Sequence, residues 1–326
     1  MEPKGITKKV GVVLLNLGGP ERLADVEPFL YNLFSDRQII RLGPAFMQKV
    51  IARFIARRRA PKSRESYRLI GGGSPLARIT AAQGAALEEM LANNGQFKVF
   101  QAMRYWYPFA RETLAQVVAA GIKKIIALPL YPHYSVATSG SSLDDLRRAV
   151  AGCKTKLQLA EISAWPTQSR YINCLAASVH SGRQRFAPGD AVQVVYSAHS
   201  LPKKFIDAGD PYVEHLQQTI RALEKMTGMP GRLCYQSRSG PVKWLAPSTP
   251  EMLEMLAAEG CKNILMIPIS FVSDHVETLY EIDMLYRDMA TELGMRLERT
   301  DSLNVQPEFI AALQELVLAA VAEQGW

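Results

Sequence analysis

The sequence has 326 residues, 48% hydrophobic and 21% charged, the balance of a soluble globular protein of about two domains that can bury a core without disulfides. A net charge of +7 and a pI of about 9.2 ask for anionic partners, but the basic residues crowd one stretch, from Arg53 through Arg57, Arg58 and Arg59 to Lys62 and Arg64, with no aromatic-interleaved run of the nucleic-acid-binding kind. Cys153, Cys174, Cys234 and Cys261 form no C-x-x-C pair and read as buried thiols in a reducing compartment; with a polar Met1–Lys9 stretch unlike a signal peptide and no apolar run of the roughly 20 residues a bilayer needs, the expectation is a cytoplasmic protein, or one peripheral to a cytoplasmic membrane face.

In chain order, Val10–Leu15 reads as a buried strand closing on the turn Gly18-Gly19-Pro20. Ala24–Leu33 is predicted helical, as is Ile39–Arg59, where Phe46, Val50, Phe54 and Ile55 sit among basic residues. Gly71-Gly72-Gly73-Ser74-Pro75 must be a loop. A helix over Ala81–Asn93 and a strand over Lys98–Met103 follow. Then Ala110–Ala120 (helix), Gly121 and Ile122–Leu130 (strand) are echoed much later by Pro250–Glu259, Gly260 and Cys261–Ile269. Val12–Pro20 and Val194–Pro202 match in the same way. The repeat predicts two similar α/β halves, each a parallel sheet covered by helices, joined near Trp165–Pro166. Domain bounds of 8–164 and 165–326 follow, with the last helix, Pro307–Glu323, able to pack back on the first domain. Ser181–Asp190 reads as an exposed loop.

Open parallel sheets bind ligands beyond the carboxyl ends of their strands, here just after Leu15, Met103, Leu130, Tyr196 and Ile269. Two of the five histidines fall at strand ends of one predicted domain, in Ser197-Ala198-His199-Ser200 and in the run from Phe271 through Asp274-His275-Val276-Glu277. A lone histidine is more often a packing residue, but a His and an Asp-His-x-Glu cluster converging on one sheet edge favour a site. Asp274 is placed to cap a helix, and Glu277 and Glu281 fall on one face of it, as a solvated acidic face or an acid track. One imidazole and one carboxylate hold a borderline divalent metal weakly, which suits a metal that is passed on. In the first half Arg58, Arg59, Tyr67, Ser74, the Arg104-Tyr105-Trp106-Tyr107 run and Tyr131 put aromatics beside arginines, a surface for a flat apolar ligand carrying carboxylates. A phosphate-cradling reading of the Gly71–Pro75 loop lacks the Walker Lys-Ser/Thr.

Taken together, YSAHSLP (Tyr196–Pro202), GDPY (Gly209–Tyr212), SDHVETLYEID (Ser273–Asp283), YRLIGGGSPL (Tyr67–Leu76) and LYPHYS with TSGSS (Leu130–Ser142) resemble the ferrochelatase family, nearly end to end. The resemblance implies two similar Rossmann-like domains, each a parallel sheet flanked by helices, with an interdomain active-site cleft. It implies insertion of iron(II), a substrate and not a resident cofactor, into protoporphyrin IX. By motif, His199 and Glu277 are the catalytic and metal-meeting residues, and Asp274 and Glu281 the proton path. Leu17, Arg58, Arg59, Tyr67, Ser74, Arg104, Tyr105, Tyr131, Trp244, Phe271 and His275 bind the porphyrin. Relatives with a [2Fe–2S] cluster carry a cysteine where this chain has Val136, and more in a C-terminal extension; here the chain ends at Trp326 and no cluster is expected. Where some relatives continue the acid track, this chain has Leu285, which leaves Asp283 and water as an alternative exit.

No nucleic acid is expected as a partner. The basic, apolar Leu30–Arg59 region is either a core helix or a lip over the cleft that touches acidic lipid. Alternatives to a protoporphyrin enzyme are coproporphyrin III as substrate, a cobalt or nickel chelatase of the same fold, a non-catalytic porphyrin or haem carrier, and a nucleotide-binding phosphotransferase. The LNLGGP turn resembles the protoporphyrin-using branch of the family more than the coproporphyrin branch, and retention of both His199 and Glu277 disfavours a carrier.

Overall fold

A computed structural model describes residues 6–238 and 242–326. The chain divides into two compact units: one runs to Trp165 and is completed by Asn304–Trp326, and the other is Pro166–Leu303. The first unit contains β1 (Ile6–Asn16), α1 (Val26–Ser35), α2 (Gln48–Leu69), α3 (Leu76–Leu91), β2 (Gly95–Met103), α4 (Ala110–Ala119), β3 (Lys124–Pro129), α5 (Ser141–Ala151) and β4 (Gln158–Glu161). The second contains α6 (Ser169–Arg183), β5 (Gln193–His199), α7 (Lys203–Asp207), α8 (Tyr212–Thr227), β6 (Gly231–Gln236), α9 (Thr249–Ala258), β7 (Asn263–Pro268), α10 (Arg287–Glu292) and β8 (Arg296–Arg299). A widened π-helical turn, Glu277–Tyr286, leads into α10.

Each sheet is parallel and four-stranded, in the orders β2-β1-β3-β4 and β6-β5-β7-β8. The two orders are the same permutation, so the sequence repeat is a repeat of topology. The central strands read as continuous apolar runs because both faces are covered. Val13, Leu15 and Ile125 pack against Leu114 and Leu146 in the first unit; Val195, Ile264 and Met266 pack against Leu253 and Ile282 in the second. The apolar helix α11 (Pro307–Glu323) docks on α3, where the Gln314 amide donates to Met90 O at 2.8 Å, so the first unit is discontinuous in sequence.

Two stretches differ from expectation: Ser181–Asp190, expected as an exposed loop, begins inside α6 and buries Gly182 and Phe186, and the second helix starts late. The helix expected from Ile39 begins only at Gln48. The buried Gln48 amide instead donates to Phe34 O (2.8 Å) and Ile40 O (2.9 Å) and accepts from Leu42 N–H (3.0 Å). That side chain satisfies backbone groups which a helix would otherwise have paired internally. The Gly71–Pro75 loop is a packing device and not a phosphate cradle. Its Ser74 N–H is bonded to Pro20 O at 2.7 Å, and a Cβ on Gly73 would lie 2.0 Å from Glu21 O, so the loop closes on the turn after β1 only with glycine there.

Candidate active site

The second unit supplies the titratable cluster. His199 is the last residue of β5, and Glu277 opens the π-helical turn that follows the loop after β7. His199 Nδ1 lies 2.8 Å from Glu277 Oε2. A carboxylate only accepts, so Nδ1 carries the hydrogen, and in the neutral ring Nε2 keeps its lone pair. Phe271 meets the His275 ring at 4.5 Å and the His199 ring edge-on at 6.5 Å. His275 Nδ1 donates to Ser273 O at 3.0 Å, which leaves its Nε2 3.9 Å from Glu277 Oε1. Trp244 lies beside the end of β5, bridged to Pro202, with its indole N–H buried.

Behind the pair is a layer of donors. Buried Gln236, at the end of β6, accepts from Ser197 Oγ at 2.7 Å and donates to Glu277 O and Glu281 Oε2, each at 3.1 Å. Ser237 follows with φ of +66°, unfavourable for a residue with a Cβ. Its hydroxyl lies 2.9 Å from Glu277 Oε2 and 2.6 Å from Glu281 Oε2. A hydroxyl has one proton to give, so both contacts are hydrogen bonds only when one carboxyl is itself protonated.

The electrostatics select which. Burial and the neighbouring Glu277 charge push Glu281 up to about 7. Burial works against the Glu277 anion too, but the charge and hydrogen bond of His199 hold its carboxyl well below the ordinary range. His199 is correspondingly raised, Glu277 outweighing burial, while burial keeps His275 lowered and neutral. Glu281–OH, Ser237 Oγ–H, Glu277 and His199 therefore form one continuous chain of hydrogen bonds.

Asp274 and Asp283 belong to a different network. The Oδ1 of Asp274 accepts from Ser302 (2.7 Å) and Thr278 (3.0 Å) and lies 3.2 Å from Arg299. Arg299 forks onto both oxygens of Asp283 at 2.8 and 2.7 Å, which ties Asp283 into an ion pair and not into the acid track.

The first unit holds the other candidates. Arg104 and Tyr105, after β2, are engaged internally. Arg104 Nη2, Tyr105 OH and Ser141 Oγ each donate to Asp36 Oδ2 at 2.7 Å, and Arg104 Nε donates to Ser141. Burial opposes the Asp36 anion, yet these donors hold its pKa below the usual value. Tyr131 follows β3, its hydroxyl buried and its pKa pushed far up by burial. Arg59 is half-buried over the Phe34 ring at 5.3 Å, Arg58 is exposed, and Tyr67 is buried near the end of α2. Leu17 O accepts from Tyr105 N–H at 3.0 Å, which joins the turn after β1 to that after β2. Gln236, Ser237 and Asp36 escaped sequence reasoning; the signal lay in the repeat, which makes the end of β6 the counterpart of the end of β2.

Comparison with known proteins accords with this geometry. The ferrochelatase family model matches residues 9–321. A ferrochelatase of Desulfotalea psychrophila is 58% identical over 308 residues, 94% of this chain and 96% of that protein. One from Geotalea daltonii is 49% identical over 320 residues, 98% of this chain and 100% of that protein. Among solved structures, SirB from Bacillus subtilis with Fe3+ superposes with a TM-score of 0.56 at 11% identity, covering 97% of each chain. The sirohydrochlorin chelatase SirB from Bacillus subtilis subspecies spizizenii in complex with cobalt gives 0.54 at 11% identity, covering 96% of this chain and 95% of that one. At such identity these two structures speak for the shared fold, two Rossmann-like halves, and the family follows from the sequence match: the chain belongs to the ferrochelatase family.

Proposed function

We infer that the protein is a metal chelatase that inserts iron(II) into protoporphyrin IX, with loss of two pyrrole protons, to give protohaem. The observation that carries this reading is the His199–Glu277 pair at 2.8 Å in a chain that matches the family nearly end to end. Iron(II) and the porphyrin are both substrates.

The chemistry assigned to each residue follows from its atoms. His199 Nε2 accepts a pyrrole proton, while Glu277 orients the ring through Nδ1 and stabilises the imidazolium that forms. Once Glu281, with a pKa of about 7, has released its own proton to solvent and the Ser237 hydroxyl has turned toward it, the Nδ1 proton passes to Glu277 and through Ser237 to the Glu281 carboxylate. The same imidazole and carboxylate are the donors able to meet incoming iron(II), which binds mixed nitrogen and oxygen sites. Phe271, His275 and Trp244 supply an aromatic wall for the macrocycle. In the first unit Leu17, Arg58, Arg59, Tyr67, Ser74 and Tyr131 are assigned to the porphyrin face and its propionates. Arg104 and Tyr105 support that surface through Asp36.

Peripheral contact with an anionic membrane surface is part of the same proposal. Phe46, Val50 and Phe54, spaced four apart, are 81%, 62% and 66% exposed, and Lys49, Arg53 and Arg57 flank them. The buried residues of α2 over this stretch are Gln48, Ala52, Ala56 and Ala60. No helix among the described residues is long and apolar enough to cross a membrane.

The test is anaerobic conversion of protoporphyrin IX with iron(II), followed by absorbance, with coproporphyrin III in parallel. Faster haem formation from protoporphyrin is expected. Preference for coproporphyrin III would keep the reaction and change the porphyrin; tight porphyrin binding without insertion would contradict the chelatase reading.

A further inference from the structure

The Gly209–Tyr212 motif has no part in the chemistry above, yet it ends on the backbone of His199. In a parallel ladder the N–H and C=O of one residue point to the same neighbouring strand, and the next residue's point to the other. Ser197 faces β7, and its carbonyl accepts from Ile269 N–H at 3.0 Å. His199 faces the same way one rung further on, but β7 has ended at Pro268. Its two peptide groups are met by side chains. His199 N–H donates to Ser270 Oγ at 3.0 Å, and Tyr212 OH donates to His199 O at 3.0 Å. Tyr212 is buried as the first residue of α8, and Asp210 Oδ1 accepts from its N–H at 3.0 Å, just after Gly209 turns the chain at φ +91°. Burial pushes the Tyr212 phenol far up, so it stays a neutral donor.

We propose that Tyr212, with Ser270, is a positioning residue that completes the missing rung of the sheet at His199 and so fixes where the imidazole meets the porphyrin. This rests on the role given to His199 above. With these two peptide groups unpaired the backbone at the end of β5 could shift and carry the imidazole with it, and misplacement of a reacting group by about 1 Å costs on the order of a hundredfold in rate. The hydroxyl meets His199 O and the Ser270 side chain that itself holds His199 N–H, so its removal is expected to affect turnover and to leave binding alone.

The experiment compares Tyr212→Phe, Ser270→Ala, the double variant and His199→Ala in full-length protein, measuring kcat, KM for porphyrin and for iron(II), and thermal midpoint. Tyr212→Phe keeps the buried ring; it is expected to lower kcat about tenfold with both KM values within about twofold and a midpoint within a few degrees of wild type. Ser270→Ala should behave likewise, and the double variant should lose less than the product of the two, because both hold one residue. Wild-type kcat in Tyr212→Phe overturns the proposal while leaving His199 in its role. So does a loss of kcat that comes with raised KM values and a large fall in midpoint, the mark of general damage. Near-normal turnover by His199→Ala overturns the underlying reading instead.

Discussion

Ser237 gives the sharpest quantitative expectation. Its single hydroxyl joins Glu277 and Glu281 at 2.9 and 2.6 Å, and among the described residues no backbone group duplicates that link. A hydrogen bond to a charged partner contributes roughly 1.5–3 kcal/mol, and about 1.4 kcal/mol is a factor of ten in rate. If the proton leaves through this hydroxyl, Ser237→Ala lowers kcat by about 10- to 150-fold and leaves the porphyrin KM near its wild-type value. The φ of +66° supplies an internal control. Glycine adopts that conformation freely, so Ser237→Gly should be about 1 kcal/mol more stable than Ser237→Ala while losing the same rate. Single-turnover absorbance of bound porphyrin gives the rates and urea denaturation the stabilities. Wild-type kcat in either variant, or a rate that follows stability from Ala to Gly, would refute the relay.

The Glu281 carboxyl, raised from 4.5 to about 7, makes a stability prediction with a definite sign. A raised folded-state pKa means the native state holds a proton that the unfolded chain releases first, so its contribution is full below about 4.5 and is lost as pH rises through about 7. Glu281→Gln removes that term: its urea midpoint relative to wild type should improve between pH 5 and pH 8 by the equivalent of about 2 kcal/mol, and an unchanged difference would contradict the protonated Glu281. Phe46→Ser with Phe54→Ser should abolish flotation with anionic liposomes without altering turnover in solution; unaltered, salt-insensitive flotation would remove those side chains from any lipid contact.

What could be read from the chain alone follows from what one-dimensional pattern encodes. The central strands β1, β3, β5 and β7 are continuous apolar runs, and the helix-Gly-strand echo around Gly121 and Gly260 marked the duplication. His199 and Glu277 were legible because strand ends are where such folds place chemistry, and the motif match named them. The edge strand β6, GRLCYQ, is short and half polar, so Gln236 and Ser237 at its end did not stand out. Their roles depend on the register that sets Gln236 beside His199, which no local signal carries. Asp283 looked available as a proton exit because its partner Arg299 lies 16 residues away on β8. Arg104 and Tyr105 looked like carboxylate binders for the same reason; Asp36, 68 residues before Arg104, turned them inward. Charge type is written in the sequence, but which opposite charge satisfies it is decided by tertiary packing.

The central claim is that His199 Nε2 takes the pyrrole proton, and the direct measurement is anaerobic single-turnover iron(II) insertion by His199→Ala beside wild type, with porphyrin affinity measured on the same samples by fluorescence. The account predicts porphyrin binding within a few-fold of wild type and insertion slowed by a factor of about 100 or more, in the range for loss of a positioned general base. Insertion at a near-normal rate with porphyrin bound would contradict it.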